Sequence, residues 1–594
     1  MSRRLSRLCW LLLAGLSVAP ALAQASGYTV RAGGVIVDRP PRPEVIADLG
    51  TARQLAQARD YQAALPMYLM LAASDPNDAE MAIEVARVLG FADRNAESAA
   101  LYRRVLAQAP QRRSELLPSL AWQTAWAGDA AQAEPLFLEV AQASIYDEPV
   151  RAEAWRGAAE SRQNLGRLSE ALEAYDRALA LKPDDRNIAR KRAQMLLWTD
   201  RHAESISAYQ ALAASDPADR LTQLGLAQAL NFAGRHRQAL AIWRDIDAPA
   251  SPDEKREVAR GLRWAGFEDL AHDTLQGVDL PDAAWLRNWR TSRETARSGW
   301  AAYEWARDRD SLIISALTLG GLVRPQRGHT LEFAWRRASI SEPAASLDAD
   351  RLTASYGWRL GDPYTRWGTL WPSLSVSANR YAGWSPLTGA ARLRWIPRDG
   401  LRLDGELGRE TIENTTALAN RVTVATTSLA VDWRPLPRWN AGGSLALLRF
   451  DDGNVRTRVT GRADYALRFS PKVVVGMEGQ LFSSSDPTSD SRAARGYWNP
   501  KRYNEARAYV GLYHDFNPWE LQARVGVGVS REVDGFGNQS SGNPNVWELS
   551  MGRDITPTWR ARFYAGGSGS NFAAGSGGSG YWRRFAGASI TGWL

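Results

Sequence analysis

The stretch LRLDGELGRE, residues 401–410, alternates apolar and charged side chains along its length. Successive side chains of a β-strand point to opposite faces, so this alternation predicts a strand with one apolar and one charged face. Leu403 and Leu407 lie on the apolar face. The charged face carries Arg402, Asp404, Glu406 and Glu410. The pattern recurs at 455–469 and 521–533, so the C-terminal half of the chain is predicted to form a sheet.

Sixteen segments of this kind follow residue 298. They begin near residues 300, 312, 329, 350, 371, 387, 401, 420, 439, 455, 472, 503, 519, 545, 559 and 582. A soluble sandwich also alternates, but its strands average about 5–6 residues, whereas these segments are long enough to cross a bilayer at a tilt. Tight turns at 397–400 and 470–471 alternate with long polar loops at 483–501 and 534–545, an asymmetry typical of outer-membrane barrels. We therefore predict a 16-stranded antiparallel transmembrane β-barrel over residues 298–594, with an aqueous lumen.

Tryptophans flank many of these segments and are expected to form the two interfacial girdles of such a barrel. They are Trp358, Trp371, Trp395, Trp433, Trp439, Trp519, Trp547 and Trp559.

Residues 46–285 repeat with a period of 34. Tyr175, Tyr209 and Trp243 keep this spacing, and so do Pro183 and Pro217. This period, with apolar positions at helical spacing, indicates a tetratricopeptide (TPR) array of six repeats and a degenerate seventh near 266–275. Such units stack into an α-helical superhelix with a concave groove. The predicted fold class is therefore α + β: a helical repeat domain followed by a barrel.

The first residues predict export. Arg3, Arg4 and Arg7 precede an apolar stretch, and Ala21 and Ala23 form a small-residue cleavage site, so residues 1–23 are expected to be a signal peptide and 24–45 a linker. The only cysteine, Cys9, would leave with the signal, so neither a disulfide nor a cysteine-bound metal is expected in the mature chain.

Composition excludes a mainly disordered chain and a helical membrane bundle, because 45% of the residues are apolar and 23% are charged. Residues 298–594 carry 36 basic and 27 acidic residues, whereas residues 24–297 carry 34 and 38. The basic excess is spread over a predicted barrel, which favours anionic lipid headgroups over nucleic acid as its partner.

The charged faces of the predicted strands supply candidate lumen residues for a sugar polymer. They are Asp404, Glu406, Glu410, Arg456, Arg458, Arg462, Asp464, Glu478, Arg507, Tyr509, Tyr513 and Arg524. Sugars offer hydroxyls to charged groups and apolar faces to rings such as Tyr509 and Tyr513. Each charge could instead belong to a salt-bridge ladder that holds strand register, and both interpretations stay open. Arg468 belongs to the same predicted inward set.

No catalytic, cofactor or metal site is expected. His202 and His236 occupy matching repeat positions 34 residues apart, which indicates helix-surface histidines rather than a metal pair. His514 lies beside Asp515 without the spacing of a catalytic triad. Residues 451–454 lack the ligand pattern of a calcium loop and predict a hairpin turn.

Three stretches resemble the outer-membrane exopolysaccharide exporters, and within them the poly-β-1,6-N-acetylglucosamine export porins (PgaA type). They are residues 409–411 with 415–419, the hairpin Phe450 to Arg456, and the aromatic-Asn-Pro-basic stretch Tyr497 to Tyr503. The resemblance covers 300–594 in layout and 46–285 only as a repeat class.

The resemblance implies an outer-membrane porin that exports a biofilm polysaccharide, with its repeats in the periplasm. The implied partners are the polysaccharide chain, a periplasmic deacetylase or other export protein docked in the TPR groove, outer-membrane lipid and the barrel assembly machinery; no nucleic acid is implied. Cellulose exporters share the architecture and are the alternative, and a passive diffusion porin with a scaffold domain is another.

Overall fold

The computed structural model describes residues 28–31, 34–37, 48–247, 249–278, 297–469, 471–488, 495–556, 558–569 and 576–593. The predicted signal peptide, residues 1–23, lies outside the described residues. The predicted linker, 24–45, contains a short hairpin of β1 (Tyr28–Arg31) and β2 (Gly34–Val37). The chain divides into two compact units, residues 1–229 and 230–594.

Fourteen α-helices between residues 48 and 278 form seven antiparallel pairs, which confirms the predicted helical repeat array. The helices are α1 (Leu49–Gln57), α2 (Tyr61–Ser74), α3 (Ala79–Phe91), α4 (Asn95–Gln108), α5 (Arg113–Trp126), α6 (Ala130–Gln142), α7 (Glu148–Asn164), α8 (Leu168–Leu181), α9 (Arg186–Trp198), α10 (His202–Ser215), α11 (Arg220–Phe232), α12 (His236–Asp245), α13 (Pro252–Trp264) and α14 (Glu268–Thr274). The degenerate seventh repeat is the pair α13 and α14. Among the described residues, no helix combines the length and the apolar character needed to cross a bilayer.

The aromatic residues spaced by 34 are the core of the repeats. Tyr209 packs its ring on Gly225 of the next helix, where an added Cβ would lie 2.3 Å from the ring. Trp243 packs on Gly261 in the same way, and both rings are buried. At both positions a large ring on one helix faces a glycine on the next, which relates the spacing of 34 to the packing between successive helices.

Sixteen long strands close into one antiparallel barrel, as predicted, and a short seventeenth strand, β16, pairs only with β15. The strands are β3 (Ser298–Asp308), β4 (Ile313–Val323), β5 (His329–Glu342), β6 (Ala345–Trp358), β7 (Thr369–Arg380), β8 (Leu387–Arg398), β9 (Leu401–Thr411), β10 (Thr423–Leu436), β11 (Trp439–Phe450), β12 (Val455–Phe469), β13 (Lys472–Ser484), β14 (Arg502–Phe516), β15 (Trp519–Val533), β16 (Gln539–Gly542), β17 (Val546–Thr556), β18 (Trp559–Ser568) and β19 (Arg583–Trp593). The last strand pairs with the first, so the sheet has no free edge.

The two ends of the barrel differ in their connections. We call the end at which β3 begins the turn end; it carries the tight β8–β9, β10–β11 and β14–β15 turns. We call the opposite end the loop end; it carries the long connections 412–422, 485–501, 534–545 and 569–582.

Apolar side chains cover the outer face of the barrel. Leu429 of β10 pairs with Leu445 of β11, and Leu407 of β9 pairs with Thr427, two residues before Leu429; the three leucines are 58%, 54% and 61% exposed. Val527 and Val529 continue the same face on β15. An exposed apolar surface of this extent needs a lipid environment, so the barrel fits an outer-membrane location.

Two predicted side-chain positions were wrong: Arg468 does not face the lumen, and Trp371 does not face the lipid. A register shift between Ala466 and Arg468 interrupts the alternation of β12, and Arg468 pairs with Val473 on the outer face. Trp371 pairs with Arg394 of the inner face, and the Arg359 guanidinium lies 5.4 Å from its ring centroid, so Trp371 is not a girdle residue.

We expect Leu407→Arg to impair barrel assembly, because a charge on the lipid face near the midplane costs about 2–4 kcal/mol. Glu406→Gln, one residue away on the inner face, should leave assembly intact. Heat-modifiable mobility on gels measures the folded fraction of each variant. Normal folding of the arginine variant would show that Leu407 does not face lipid.

Candidate functional site: the barrel lumen and its loop-end plug

All twelve predicted lumen residues lie on the inner face of the barrel, opposite in parity to the exposed apolar side chains of their strands. They occupy β9, β12, β13, β14 and β15. That they touch a polymer stays a prediction.

A first ladder of ion pairs crosses five strands of the lumen wall. Asp404 lies 2.8 Å from Arg394 Nε on β8 and 2.7 Å from Arg402 Nε on its own strand. Asp432 on β10 accepts from both Arg402 and Arg462, the latter on β12. Glu406 and Arg392 form an ion pair of 3.1 Å on the same face that is not connected to this ladder.

A second ladder joins β13, β14 and β15. Glu478 pairs with Arg507 at 3.0 Å and also accepts from Arg524. Arg507 pairs in turn with Glu505 at 3.2 Å. The Arg524 guanidinium lies 4.1 Å from the ring centroid of Tyr509. The lumen carboxylates of both ladders are therefore neutralised by arginines of neighbouring strands.

Four further candidate residues lie outside the two ladders. Glu410 makes no hydrogen bond or ion pair with any described residue and is exposed to the lumen. Asp464 accepts hydrogen bonds from Asn440 at 3.1 Å and Tyr509 at 3.4 Å. Tyr513 stands beside Lys472, whose ammonium is 5.6 Å from the ring centroid, while Arg458 is half-buried on the same inner face.

The β9–β10 connection, residues 412–422, folds over the inner face of the barrel at the loop end; we call it the plug. Its centre is a short helix, α15 (Thr415–Ala419), which Asn414 caps by accepting the Ala417 N–H at 2.8 Å. Leu418 is buried among inner-face residues of β4 and β5, including Ile314 and Ile340. The plug thus reaches from β9 to β4 across the lumen wall.

Ion pairs hold the plug to strands β5 and β6 of the lumen wall. Glu413 accepts from Arg336 of β5 at 2.9 Å and from Arg351 of β6 at 2.8 Å. Glu342 accepts the Thr415 N–H at 2.9 Å. Because every one of these partners lies on the inner face or rim, the plug narrows the lumen at the loop end.

The other side of the plug rests on a group of side chains that we call the latch: Phe450, Asn454, Arg456, Tyr497 and Trp498. Tyr497 stacks on Phe450 with centroids 4.1 Å apart. Arg456 lies between Phe450 and Phe482, 5.2 and 4.6 Å from their ring centroids, and donates to the Trp498 carbonyl. Asn414 of the plug donates to the carbonyl of Gly496, the residue that precedes Tyr497, and this bond links the plug to the segment that carries the latch.

Hydrogen bonds join Tyr497 and Asn499 to the β11–β12 hairpin turn, 451–454, whose predicted turn conformation is confirmed. Tyr497 donates to Asp452 at 2.6 Å, and Asn454 donates to Asn499 at 2.9 Å. Burial, with the neighbouring Asp452 carboxylate, raises the pKa of Tyr497 to about 12, so the phenol keeps its proton for this bond.

The three stretches that carry the sequence resemblance form the plug, the β11–β12 hairpin and the latch segment, but the resemblance did not predict that they contact one another. Residues 409–419, 450–456 and 497–503 were separate motifs, and the structure brings them into one contact. Arg456 was expected to face the polymer, but it is 5% exposed and enclosed by Phe450, Phe482 and Trp498. Tyr509 is 9% exposed beneath Arg524. Small, aromatic and Asn residues in long loops are unusual at a solvent-exposed surface, so the motifs themselves indicated buried contacts. No rule of sequence spacing predicts that loops about 80 residues apart contact each other.

At the turn end, helices α12 and α14 contact the barrel rim. Asp269 of α14 and Arg359 of the inner face form an ion pair of 2.5 Å that is nearly buried on both sides. Asp399, in the β8–β9 turn, accepts the backbone N–H of Arg237 in the first turn of α12 at 2.8 Å. Burial raises the pKa of Asp399 to about 6. Helices α12 and α14 therefore lie against the rim of the barrel at this end.

The two histidines spaced by 34 are packing residues. His202 lies 3.8 Å from Asp200. His236 is bonded to Asn231 at 2.7 Å, and burial, with Arg434 nearby, lowers its pKa to about 4. No group of three potential ligands for a metal is found in the described ranges.

Comparisons with known proteins give matches to parts of the chain. Residues 152–195 match the sequence model of the tetratricopeptide repeat. No curated protein matches the sequence. Among solved structures, a bacterial polysaccharide outer membrane secretin is similar at 14% identity and a TM-score of 0.40, covering 51% of this chain and 99% of the other. A tetratricopeptide repeat protein from Parabacteroides merdae ATCC 43184 is similar at 12% identity and a TM-score of 0.34, covering 39% and 90%. The molecule is a tetratricopeptide-type helical array followed by a closed sixteen-stranded barrel.

Proposed function

We propose that this chain is an outer-membrane channel that exports a polysaccharide, has no enzymatic activity of its own, and carries its repeat array in the periplasm. The observation that carries the proposal is the lumen of a closed sixteen-stranded barrel lined with charged, hydroxyl and aromatic side chains. Such a lumen solvates a hydroxyl-rich chain by hydrogen bonds, while rings such as Tyr513 meet the apolar faces of sugars. The cargo we propose is poly-β-1,6-N-acetylglucosamine, partly deacetylated, secreted for a biofilm.

The plug argues for gated export rather than passive diffusion. A diffusion porin needs a standing opening, whereas here Glu413 ties residues 412–422 to Arg336 and Arg351 across the lumen wall. The ties are ion pairs between a loop and the strands, which a chain entering from the turn end can displace. Export therefore includes release of the plug.

A partner protein is proposed for the repeats. An apolar groove of about 250 Å³ opens between α5, α6 and α7, lined by Pro118, Trp122, Phe137 and Val150. Trp126 beside it is 58% exposed and stacks on Trp122. Exposed aromatic residues next to an apolar groove are typical of protein-docking surfaces. We propose a periplasmic polysaccharide deacetylase, or another export protein, as the occupant.

A neutral, cellulose-type polysaccharide is the second candidate. The specific observation in its favour is that Asp404, Glu406 and Glu478 are already paired with arginines. A lumen in which these carboxylates are paired gives a cationic chain less attraction than an acidic lumen would.

The double variant Asp404→Asn/Glu406→Gln separates the two cargoes. Each carboxylate attracts a glucosamine ammonium by roughly 1 kcal/mol in water-like surroundings. Its removal also leaves Arg392 and Arg394 without partners, and these then repel a cationic chain. For the deacetylated cargo we expect secreted polymer per cell to fall severalfold at matched barrel levels.

The matched control is Asp348→Asn/Asp350→Asn, which removes two carboxylates from the outer face of β6. It should leave secretion unchanged. If the lumen variant also secretes normally, the neutral cargo is favoured. If deletion of the gene leaves all polymer secretion intact, the export function itself is wrong.

A further inference from the structure

Arginines surround the outer face of the barrel at the loop end. They are Arg307, Arg337, Arg380, Arg409, Arg449, Arg502, Arg531 and Arg584, all exposed, on eight of the sixteen long strands. We call them the arginine belt. Only three outward strand arginines lie at the turn end among the described residues: Arg398, Arg468 and Arg553. The outward arginines of the strands are therefore concentrated at the loop end of the barrel.

The belt lies directly beside the apolar band. Leu407 precedes Arg409 by two residues on β9, and Val529 precedes Arg531 by two on β15; both apolar side chains are more than half exposed. Two residues of a strand span about 7 Å. The guanidinium groups thus sit at the depth where acyl chains give way to lipid headgroups.

Two of these arginines face each other. Arg307 of β3 is the direct cross-strand partner of Arg584 of β19. Like charges directly opposite on one face of a sheet destabilise the pair. Arg409 and Arg449 show a looser version, since both flank Ala425 of the intervening strand. Such placements call for an anion between the guanidinium groups.

The protein itself supplies few anions there. The side chains of Arg307, Arg380, Arg449 and Arg502 make no hydrogen bond or ion pair with any residue that the structure describes. Arg337 pairs with Asp348 at 3.0 Å, and Arg409 lies 3.5 Å from Asp451. The four arginines without such contacts, half of the belt, are therefore free to bind an external group.

We propose that the arginine belt binds the phosphate groups of a lipid in the leaflet around the loop end, with Arg307 and Arg584 as a clamp for one phosphate. Guanidinium groups bind phosphate oxygens in a bidentate fork, which suits two arginines that share one anion. This inference needs a membrane-embedded barrel but no polysaccharide export, so it stands or falls apart from the proposed cargo.

The test uses the full-length protein in detergent and native mass spectrometry. The probes are diphosphoryl lipid A, the same lipid without its phosphates, and inorganic phosphate as a competitor. We expect Arg307→Gln/Arg584→Gln to weaken binding of diphosphoryl lipid A about tenfold or more. Arg398→Gln/Arg553→Gln, at the turn end, should bind it as the parent protein does.

The dephosphorylated lipid should bind the parent protein and the clamp variant equally weakly, and millimolar inorganic phosphate should not displace the diphosphoryl lipid. Equal affinity of both double variants for the diphosphoryl lipid overturns the proposal, and so does displacement by inorganic phosphate, which would indicate a free-anion site. Should the clamp variant fail to fold, Arg449→Gln must show a severalfold loss; unchanged affinity there overturns the proposal as well.

Discussion

Gly496→Ala is expected to open the lumen and raise the single-channel conductance severalfold in planar bilayers. Gly496 has a φ of 79°, and a Cβ there would lie 2.4 Å from the backbone nitrogen of Ala417 and 2.5 Å from its Cα. Those atoms belong to the plug and cannot retreat as a flexible side chain could. The added methyl group therefore forces the plug away from the latch.

The control for this variant is Gly537→Ala in the β15–β16 connection at the same end. Gly537 has a φ of 93° but no atom within 4 Å of an added Cβ, so it shares the backbone strain without the clash. It should conduct as the parent protein does. If Gly496→Ala folds normally by heat-modifiable mobility and conducts no more than the parent, the plug does not limit the lumen.

The ion pairs on the far side of the plug provide an independent route to the same state. Glu413→Gln removes the charge that holds Arg336 and Arg351, and it leaves two inner-face arginines without their carboxylate. We expect a conductance increase of the same sign. The conductance of the double variant should exceed that of either single variant only if the Gly496 contact and the Glu413 ion pairs hold the plug independently.

Periodicity predicted the two halves of the fold because it reports which side chains share a face. The spacing of 34 between Tyr209 and Trp243 follows from a ring that packs on a glycine of the next helix. The sixteen predicted strand starts lie within five residues of those in the structure. Both patterns are local, and each repeats often enough to average out single exceptions.

Exceptions arise where a local rule is interrupted. One register shift near Leu467 places Arg468 on the outer face, and alternation alone gives no signal for it. Alternation also tells which face Arg456 occupies but not that Trp498 and Phe482 cover it. Plug contacts such as Asn414 to Gly496 join irregular segments 82 residues apart, and no period relates them.

In the candidate site, too, the sequence predicted the local features but not the contacts between distant segments. The charges of the lumen face were predicted by residue, but their pairing was not, because register decides that Asp432 lies between Arg402 and Arg462. A salt-bridge role was the alternative left open for each lumen charge, and Asp404, Glu406 and Glu478 do form salt bridges. Glu410, which makes no hydrogen bond or ion pair with any described residue, is the candidate that we propose to meet a cargo directly.

Removal of residues 24–216 is expected to abolish polymer secretion while the barrel still assembles. The barrel closes through β19 and β3 and satisfies its own backbone, so it does not need the array to fold in a membrane. The deletion ends after α10, so α11–α14 remain with the barrel. The groove lined by Trp122 and Phe137, which we propose as the partner's docking site, is lost.

The end point of the deletion matters, and a second deletion shows why. Removing residues 24–297 also takes away Asp269 and Arg237, which contact Arg359 and Asp399 at the turn end. Arg359 then lacks its carboxylate in a nearly buried position, a change that costs about 3–5 kcal/mol where it is not relieved by water. We expect the longer deletion to assemble less well, and the shorter one to match the full chain by heat-modifiable mobility. Secretion is scored only for the shorter deletion at matched barrel levels; normal secretion there would remove the docking role of the repeats, because every repeat that forms the groove would be absent.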